Sequence, residues 1–423
     1  GLIASTHDYI YFGTYDDAGK MPTNPAAFME TDGAKKFLNF KEDGFAGIAE
    51  GGKYYTRDFD GKTAYRVIYR PNMIHPLVAF STTCVGYAVD FFDTTLGAPK
   101  PLPASDQIWP IKAVFNSLGV IGLLIFMVSF TLVLLDTPVF SALRSDEIVQ
   151  PAPVQDSGAK AWYWVLLIIG AVFSGTSFLF CMNTVYSKTT NFFVQTGPLT
   201  IGTWAALCGV FAIFCSAVFY GAYGKKHGWS ARRAGLYLNL EQLWKTIALA
   251  VIVIVVSFGL VFAAHYFFQV DYRMYVVAFK TFGADKVLIA LRYLPFFLLF
   301  YVMNSISANC FNYNTIGGKN GNILIFAFFN ALGAIFVVAS QYIYFYATGY
   351  QLYGLTEGQR IGPIWLFPCM VLLFVTPIMS RIIYKRTRNP YIAGLINAMF
   401  IVMISCSNTT TILGGGELIA TTF

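Results

Sequence analysis

Asp16 and His75 are the two side chains whose positions suggest proton-transfer chemistry. Asp16 follows Asp8–Gly13 (DYIYFG), an apolar run that predicts a strand, and a strand commonly delivers a carboxylate on the loop at its carboxyl end. His75 lies in a Pro-flanked loop (PNMIHP) between a predicted strand and an amphipathic helix, which places it at the carboxyl end of that strand. Each residue also has a structural explanation, because Asp is common in turns and a lone loop His is often structural.

The elements that must position these residues form a short α/β pattern. Asn24 as cap and Pro25 at the first position predict a helix over 24–39. Asp60-Gly61 is a strong hairpin signal between two β-rich runs. The predicted strands and final helix cover 53–59, 63–69 and 81–96. We therefore expect an acid and an imidazole at the rim of a sheet.

The order of these features resembles the end of an α/β-hydrolase domain. Gly13-x-x-Asp16 after a strand, then a strand pair, then His75 ahead of a final helix is similar to that family, whose triad runs Ser, Asp, His. The chain most resembles bacterial multi-pass proteins in which a domain of dienelactone-hydrolase or esterase type precedes a helical membrane region. Asp90-Phe91-Phe92 and the junction 106–109 (DQIW) carry this resemblance, which covers about the first 115 residues.

This resemblance implies a membrane-anchored serine hydrolase that acts on an ester, thioester or amide by hydrolysis or acyl transfer. Asp16 would be the triad acid, with Asp17 as an alternative, and His75 the general base. The sequence contains no G-x-S-x-G and starts at Gly1 without a signal peptide. We therefore expect an upstream or partner polypeptide to carry the nucleophilic serine. No cofactor, metal or nucleic acid is expected.

Composition predicts that most of the chain lies in a membrane. Hydrophobic residues make up 56% and charged residues 12%, against about a quarter charged in soluble domains. A bilayer core requires about 20 apolar residues per helix. Runs of that length occur near 111–135, 161–183, 199–223, 243–268, 289–312, 322–347, 362–384 and 390–413. The sequence thus predicts a mainly α-helical membrane region of eight spans (106–423), preceded by the carboxyl-terminal α/β part of a hydrolase domain (1–105).

Charge in the loops predicts the orientation of these spans. The loops after spans one, three, five and seven carry more Lys and Arg than those after spans two, four and six, so the former are predicted to be cytoplasmic. Arg381 is counted in the loop after span seven. We expect the chain to lie in the plasma membrane, with the segment 1–105 outside the cytoplasm. The stretch Val270–Phe282 predicts a helix lying in the outer interface.

Two other functions stay open from the sequence: a transporter or channel, and a scaffold subunit without catalysis. Polar residues gather at the end of span five, where they could line a path or form hydrogen bonds between helices. These residues are Asn304, Ser305, Ser307, Asn309, Asn312 and Asn314. No span shows a central Asp, Glu, Lys or Arg, which argues against ion-coupled transport.

Overall fold

The chain is mainly helical in the computed structural model, which describes residues 1–16, 21, 24–100, 102–154, 156–281, 283–412 and 418–419. The helices are α1 (Tyr9–Phe12), α2 (Asp32–Leu38), α3 (His75–Val78), α4 (Thr82–Leu96), α5 (Trp109–Leu135), α6 (Ser157–Thr184), α7 (Thr196–Phe219), α8 (Leu240–Phe268), α9 (Ala284–Ile306), α10 (Gly318–Thr348), α11 (Glu357–Thr387) and α12 (Pro390–Ser407). The strands are β1 (Leu2–Ile3), β2 (Tyr55–Phe59), β3 (Lys62–Arg66), β4 (Ile68–Tyr69), β5 (Tyr272–Met274), β6 (Val277–Phe279), β7 (Thr411–Ile412) and β8 (Leu418–Ile419).

Among the described residues, eight helices, α5 to α12, are long and apolar enough to cross a membrane, which confirms the prediction of a multi-span helical region. Two of them continue into a π-helical turn, α7 into Tyr220–Gly224 and α9 into Ser307–Phe311. The prediction succeeds because an apolar run that spans the bilayer core must satisfy its own backbone hydrogen bonds, and a helix does so.

Contacts divide the chain into two compact units. The first consists of Gly1–Val114 and Val338–Ile364, and the second of Phe115–Val337 and Trp365–Phe423. The first unit therefore joins the amino-terminal segment to residues around the connection between α10 and α11.

Within the first unit, the predicted hairpin is confirmed and a predicted strand is wrong. β2 and β3 pair antiparallel across Asp60-Gly61, both with positive φ, as this two-residue turn requires. The predicted strand Asp8–Gly13 is the helix α1 instead, because the Asp8 side chain accepts the Tyr11 backbone N–H and starts a helical turn. The strand of this region is β1, which pairs in parallel with β4.

Aromatic and polar contacts hold α1 against the carboxyl-terminal end of α10 in this unit. The ring centroids of Tyr9 and Phe345 are 5.0 Å apart. The Tyr15 hydroxyl donates to Gln351 Oε1 at 3.0 Å, and the Arg360 guanidinium lies 4.2 Å from the Tyr15 ring centroid. The segment before α5 thus contacts the connection after α10.

The second unit corrects the prediction of an interfacial helix over Val270–Phe282. Residues 272–279 form the antiparallel pair β5–β6, and Tyr275 takes a positive φ of 54° at the turn. β6 is buried, and Phe279 packs on Phe400 of α12 with ring centroids 4.9 Å apart. Val and Phe at successive positions favour a buried strand, and burial on α12 outweighs the amphipathic pattern.

Backbone hydrogen bonds join the connections of the second unit in pairs. The Ala152 N–H donates to the Tyr313 carbonyl at 3.0 Å, which joins the connections after α5 and α9. The Ile412 N–H donates to the Val194 carbonyl at 2.8 Å, which joins the segment after α12 to the connection after α6. Which group of connections faces the cytoplasm stays a prediction.

Small residues allow α6 and α10 to pack at close range. A Cβ atom on Gly333 would lie 2.6 Å from the Ala171 carbonyl oxygen and 2.7 Å from the Gly175 nitrogen. Both neighbours are backbone atoms, so the helices would have to separate to admit a methyl group. This is the small-residue packing common between membrane helices.

We expect Gly333→Ala to lower the free energy of unfolding by about 1–3 kcal/mol, because the added methyl group overlaps backbone atoms. Gly122→Ala in α5 is the matched control, since a Cβ there meets nothing within 4 Å. The measurement is reversible unfolding in mixed detergent micelles. Equal effects of the two substitutions would contradict the packing described.

Candidate functional site

Asp8 and His75 form a buried acid–imidazole contact in the first unit. His75 Nδ1 lies 2.7 Å from Asp8 Oδ2. The Asp8 side chain is 2% exposed and that of His75 is 40% exposed. A buried carboxylate requires a partner that compensates for lost water, and the imidazole provides it. The ring therefore has one nitrogen fixed in the interior and one side open.

Two parallel strands place these residues side by side. Ile3 pairs with Tyr69 in the β1–β4 ladder, and an isolated parallel bridge joins His7 to Ile74 farther along. Asp8 and His75 each follow one member of that bridge. Because parallel strands run in the same direction, the residues that follow them meet at one edge of the pair.

A side-chain hydroxyl secures the end of this strand pair. Ser5, which is fully buried, donates to the carbonyl oxygens of Pro71 and Met73, the former at 3.1 Å. Arg70 Nη1 donates to the Ala4 carbonyl at 2.8 Å. These bonds connect the loops that carry Asp8 and His75 and fix their separation.

The two oxygens of Asp8 have separate roles. Oδ1 accepts the Tyr11 backbone N–H at 3.3 Å and caps α1, while Oδ2 accepts the His75 Nδ1–H. An ionised carboxylate only accepts hydrogen bonds, so the ring proton lies on Nδ1. In a neutral imidazole held in this way, Nε2 carries the lone pair and can act as a base.

The open side of His75 is partly covered by one aromatic ring. The Tyr11 ring centroid lies 4.7 Å from the imidazole centroid at an interplanar angle of 39°. Among the residues that the structure describes, no side chain or backbone group forms a hydrogen bond with Nε2. The arrangement thus provides an oriented base without a nucleophile from the described residues.

The structure assigns the carboxylate beside His75 to a residue that the sequence analysis did not select. His75 follows β4 as predicted, but its Nδ1 contacts Asp8 where Asp16 was expected. Asp16 is exposed, and its proposed catalytic role stays a prediction. Asp17, the alternative acid, lies outside the described residues.

A signal for Asp8 was present in the sequence. Leu2-Ile3-Ala4 is a short apolar run followed by polar residues that end in Asp8, which is the strand-then-acid order sought. The sequence pattern instead predicted the strand at the next apolar run, Asp8–Gly13, because its Tyr, Ile and Phe residues favour a strand. In the structure that run is the helix α1, and Asp8 is its N-cap. The acid therefore lies before the apolar run and not after it.

A second polar site lies among the membrane-length helices and contains a buried charge near the carboxyl-terminal end of α11. Arg381 of α11, which was assigned to a loop, is 4% exposed. Its Nε donates to Asn309 Oδ1 at 2.8 Å, its Nη1 to Asn322 Oδ1 at 3.0 Å, and its Nη2 to the Ala308 carbonyl. The guanidinium also stacks 3.9 Å from the Tyr313 ring centroid.

The neighbouring polar residues pair across helices. Asn304 Nδ2 donates to Asn330 Oδ1 of α10 at 2.6 Å. The Ser305 and Ser380 hydroxyls, on α9 and α11, are 2.6 Å apart. In the described part of the chain, no acidic side chain forms an ion pair with Arg381. These contacts support the interpretation of the polar cluster as hydrogen bonds between helices.

We expect Arg381→Lys to lower the free energy of unfolding by about 2–4 kcal/mol, because an ammonium group cannot satisfy three separate acceptors and stack on Tyr313. Arg386→Lys, at an exposed position of the same helix, should change it by less than about 0.5 kcal/mol. Unfolding by SDS titration measures both. If Arg381→Lys leaves the free energy of unfolding unchanged, the hydrogen bonds of the Arg381 guanidinium contribute little to stability.

Comparisons with known proteins identified no relative for this architecture. No protein-family model, no curated protein and no solved structure matches the chain.

Proposed function

We propose that Asp8 and His75 are the acid and general base of a serine hydrolase site held at a membrane by α5 to α12. The substrate class is an ester, thioester or amide, and the reaction is hydrolysis or acyl transfer. The observation that carries the proposal is the 2.7 Å contact between a buried carboxylate and a half-exposed imidazole.

The order and placement of the two residues support a triad arrangement. Asp8 comes before His75 in the chain, and each follows a strand of one parallel pair. The same order, acid then imidazole, occurs in α/β-hydrolases, where the two residues follow different strands.

The proposed reaction uses each atom of the pair in turn. Nε2 of His75 takes the proton of a serine hydroxyl as the serine oxygen attacks the substrate carbonyl carbon. Asp8 stabilises the imidazolium without accepting the proton. Nε2 then gives the proton to the departing alcohol, thiol or amine, and an acyl-serine remains. The same base activates water, or an acceptor hydroxyl, to release the acyl group.

The proposed nucleophile is a serine of an upstream or partner polypeptide, the companion. Within the described residues no hydroxyl lies at hydrogen-bonding distance of Nε2, and the 423-residue sequence has no G-x-S-x-G. The companion would add the strand-to-helix turn that exposes such a serine. We place the assembled site outside the cytoplasm, on the side predicted by the loop charges.

A transporter and a non-catalytic scaffold are the alternative functions. Arg381 gives the transporter its main support, because a buried cation in a membrane-length helix often marks a substrate path. Its hydrogen bonds to Asn309, Asn322 and Ala308 are closed within the protein, which favours a structural role. In the scaffold, His75 would serve only as the hydrogen-bond partner of the buried Asp8 carboxylate.

The test is labelling of the purified intact particle with a biotinylated fluorophosphonate, followed by identification of the modified serine. We expect one companion polypeptide to be labelled. His75→Gln should slow labelling by about 10²–10⁴-fold, because the serine then loses its base. Absence of any labelled polypeptide, or labelling indifferent to His75→Gln, would refute the proposed hydrolase.

Two carboxylate substitutions identify the acid. Asp8→Asn keeps a good helix cap for α1 but no longer favours the Nδ1–H tautomer, so labelling should slow by at least about 10²-fold. Asp16→Asn, at an exposed position, is the matched control and should stay within about 2-fold of the unmodified protein. The reverse ranking would restore Asp16 as the acid. Co-purification of the companion verifies assembly of each variant.

A further inference from the structure

A cavity of about 160 Å³ lies among the membrane-length helices of the second unit, partly open at the surface. Its walls come from α6, α7, α9, α10, α11 and α12 and consist mainly of apolar and aromatic side chains. Trp204, Phe211 and Phe300 are among them. A cavity of this size, lined in this way, can hold a small apolar molecule or a stretch of hydrocarbon chain.

One side of the cavity is polar. Asn304, Ser307 and Asn312 line it where α9 passes into the π-helical turn Ser307–Phe311. Asn304 Nδ2 donates to Asn330, and Asn312 Nδ2 donates to the Ser307 carbonyl at 2.7 Å. The remaining amide oxygens and the Ser307 hydroxyl have no hydrogen-bond partner among the described residues. The residues that line this side therefore carry two spare acceptor oxygens and one hydroxyl.

The π-helical turn sets the direction of these groups. A π turn shifts the helical register by one residue and is frequent at functional sites. Here Arg381 secures the turn from behind, through Asn309 Oδ1 and the Ala308 carbonyl. The shift turns Asn309 toward Arg381 and leaves Ser307 and Asn312 at the cavity. The backbone conformation of the π-helical turn therefore determines where these polar side chains lie.

We infer that the cavity binds the head end of a single-chain amphiphile, a protonated fatty acid or a monoacylglycerol. Its hydroxyl-bearing head lies against Ser307 and Asn312, its first methylene groups lie among the aromatic walls, and the rest of the chain leaves through the open side. The helices around the cavity have membrane length, so a lipid chain can enter from its open side. A hydrocarbon without a head would leave the polar groups unsatisfied, and a polar solute would be excluded by the walls. His75 and Asp8 take no part, so the inference does not rest on the proposed hydrolase.

Gly170 provides a way to fill the cavity without disturbing the backbone. It lines the cavity from α6, and a Cβ there meets nothing within 4 Å. Gly170→Leu therefore places a side chain in the open space. Gly259→Leu in α8 is the matched control, because a Cβ at that position also meets nothing within 4 Å and Gly259 does not line the cavity.

The experiment is photo-crosslinking of the full chain in nanodiscs with diazirine-bearing palmitic acid, and in a second arm with a monoacylglycerol of the same chain. Mass spectrometry maps the adducts. We expect adducts at cavity residues in at least one arm, competed by the unlabelled ligand, and the stronger arm identifies the source of the chain. Gly170→Leu should reduce them by at least about 5-fold and Gly259→Leu by less than about 2-fold. Ser307→Ala should weaken competition about 3- to 10-fold without moving the adducts.

Adducts spread over outward-facing positions such as Val255 and Phe262, without enrichment at the cavity, would overturn the inference. So would cavity adducts that Gly170→Leu leaves unchanged. Each variant is first checked for an unchanged elution volume and unfolding midpoint. If Gly170→Leu fails this check, Ala212→Leu, at a second lining position on α7, replaces it.

Discussion

The account depends on the buried carboxylate of Asp8. A carboxylate that is 2% exposed is stable only with compensating hydrogen-bond donors, and Asp8 has two: the Tyr11 backbone N–H and the His75 ring. The first starts α1 and the second fixes the orientation and tautomer of the imidazole. One desolvated group therefore links the local fold of the amino-terminal segment to the only chemistry that we propose for it.

The membrane-length helices were predictable because each one is determined by a single continuous apolar segment of the sequence. An apolar run of about 20 residues must satisfy its own backbone in lipid, so length and composition determine a helix. The prediction of an interfacial helix over Val270–Phe282 was wrong because this β-rich sequence forms the β5–β6 pair and is buried on α12. Arg381 was assigned to a loop because local composition shows charge, and only tertiary contacts show that Asn309 and Asn322 satisfy it within a helix.

The candidate site was predictable in part. The strand-then-loop order placed His75 correctly after β4, since local signals mark turns and helix starts. Asp8 was not selected from the sequence because a two-residue strand, β1, is too short for a periodic signal, and its identity comes from pairing with β4 about 66 residues away. The interhelical contacts and the cavity depend on which helices are neighbours, and no short-range pattern encodes this.

The central claim is that Nε2 of His75 serves a hydroxyl that this chain does not supply from its described residues. The most direct measurement is a cryo-EM structure of the purified native particle at a resolution that shows side chains. The account predicts a serine Oγ of a companion polypeptide about 3 Å from Nε2, with Asp8 still against Nδ1. A particle in which Nε2 donates to a backbone carbonyl, or in which no second polypeptide approaches His75, would contradict it.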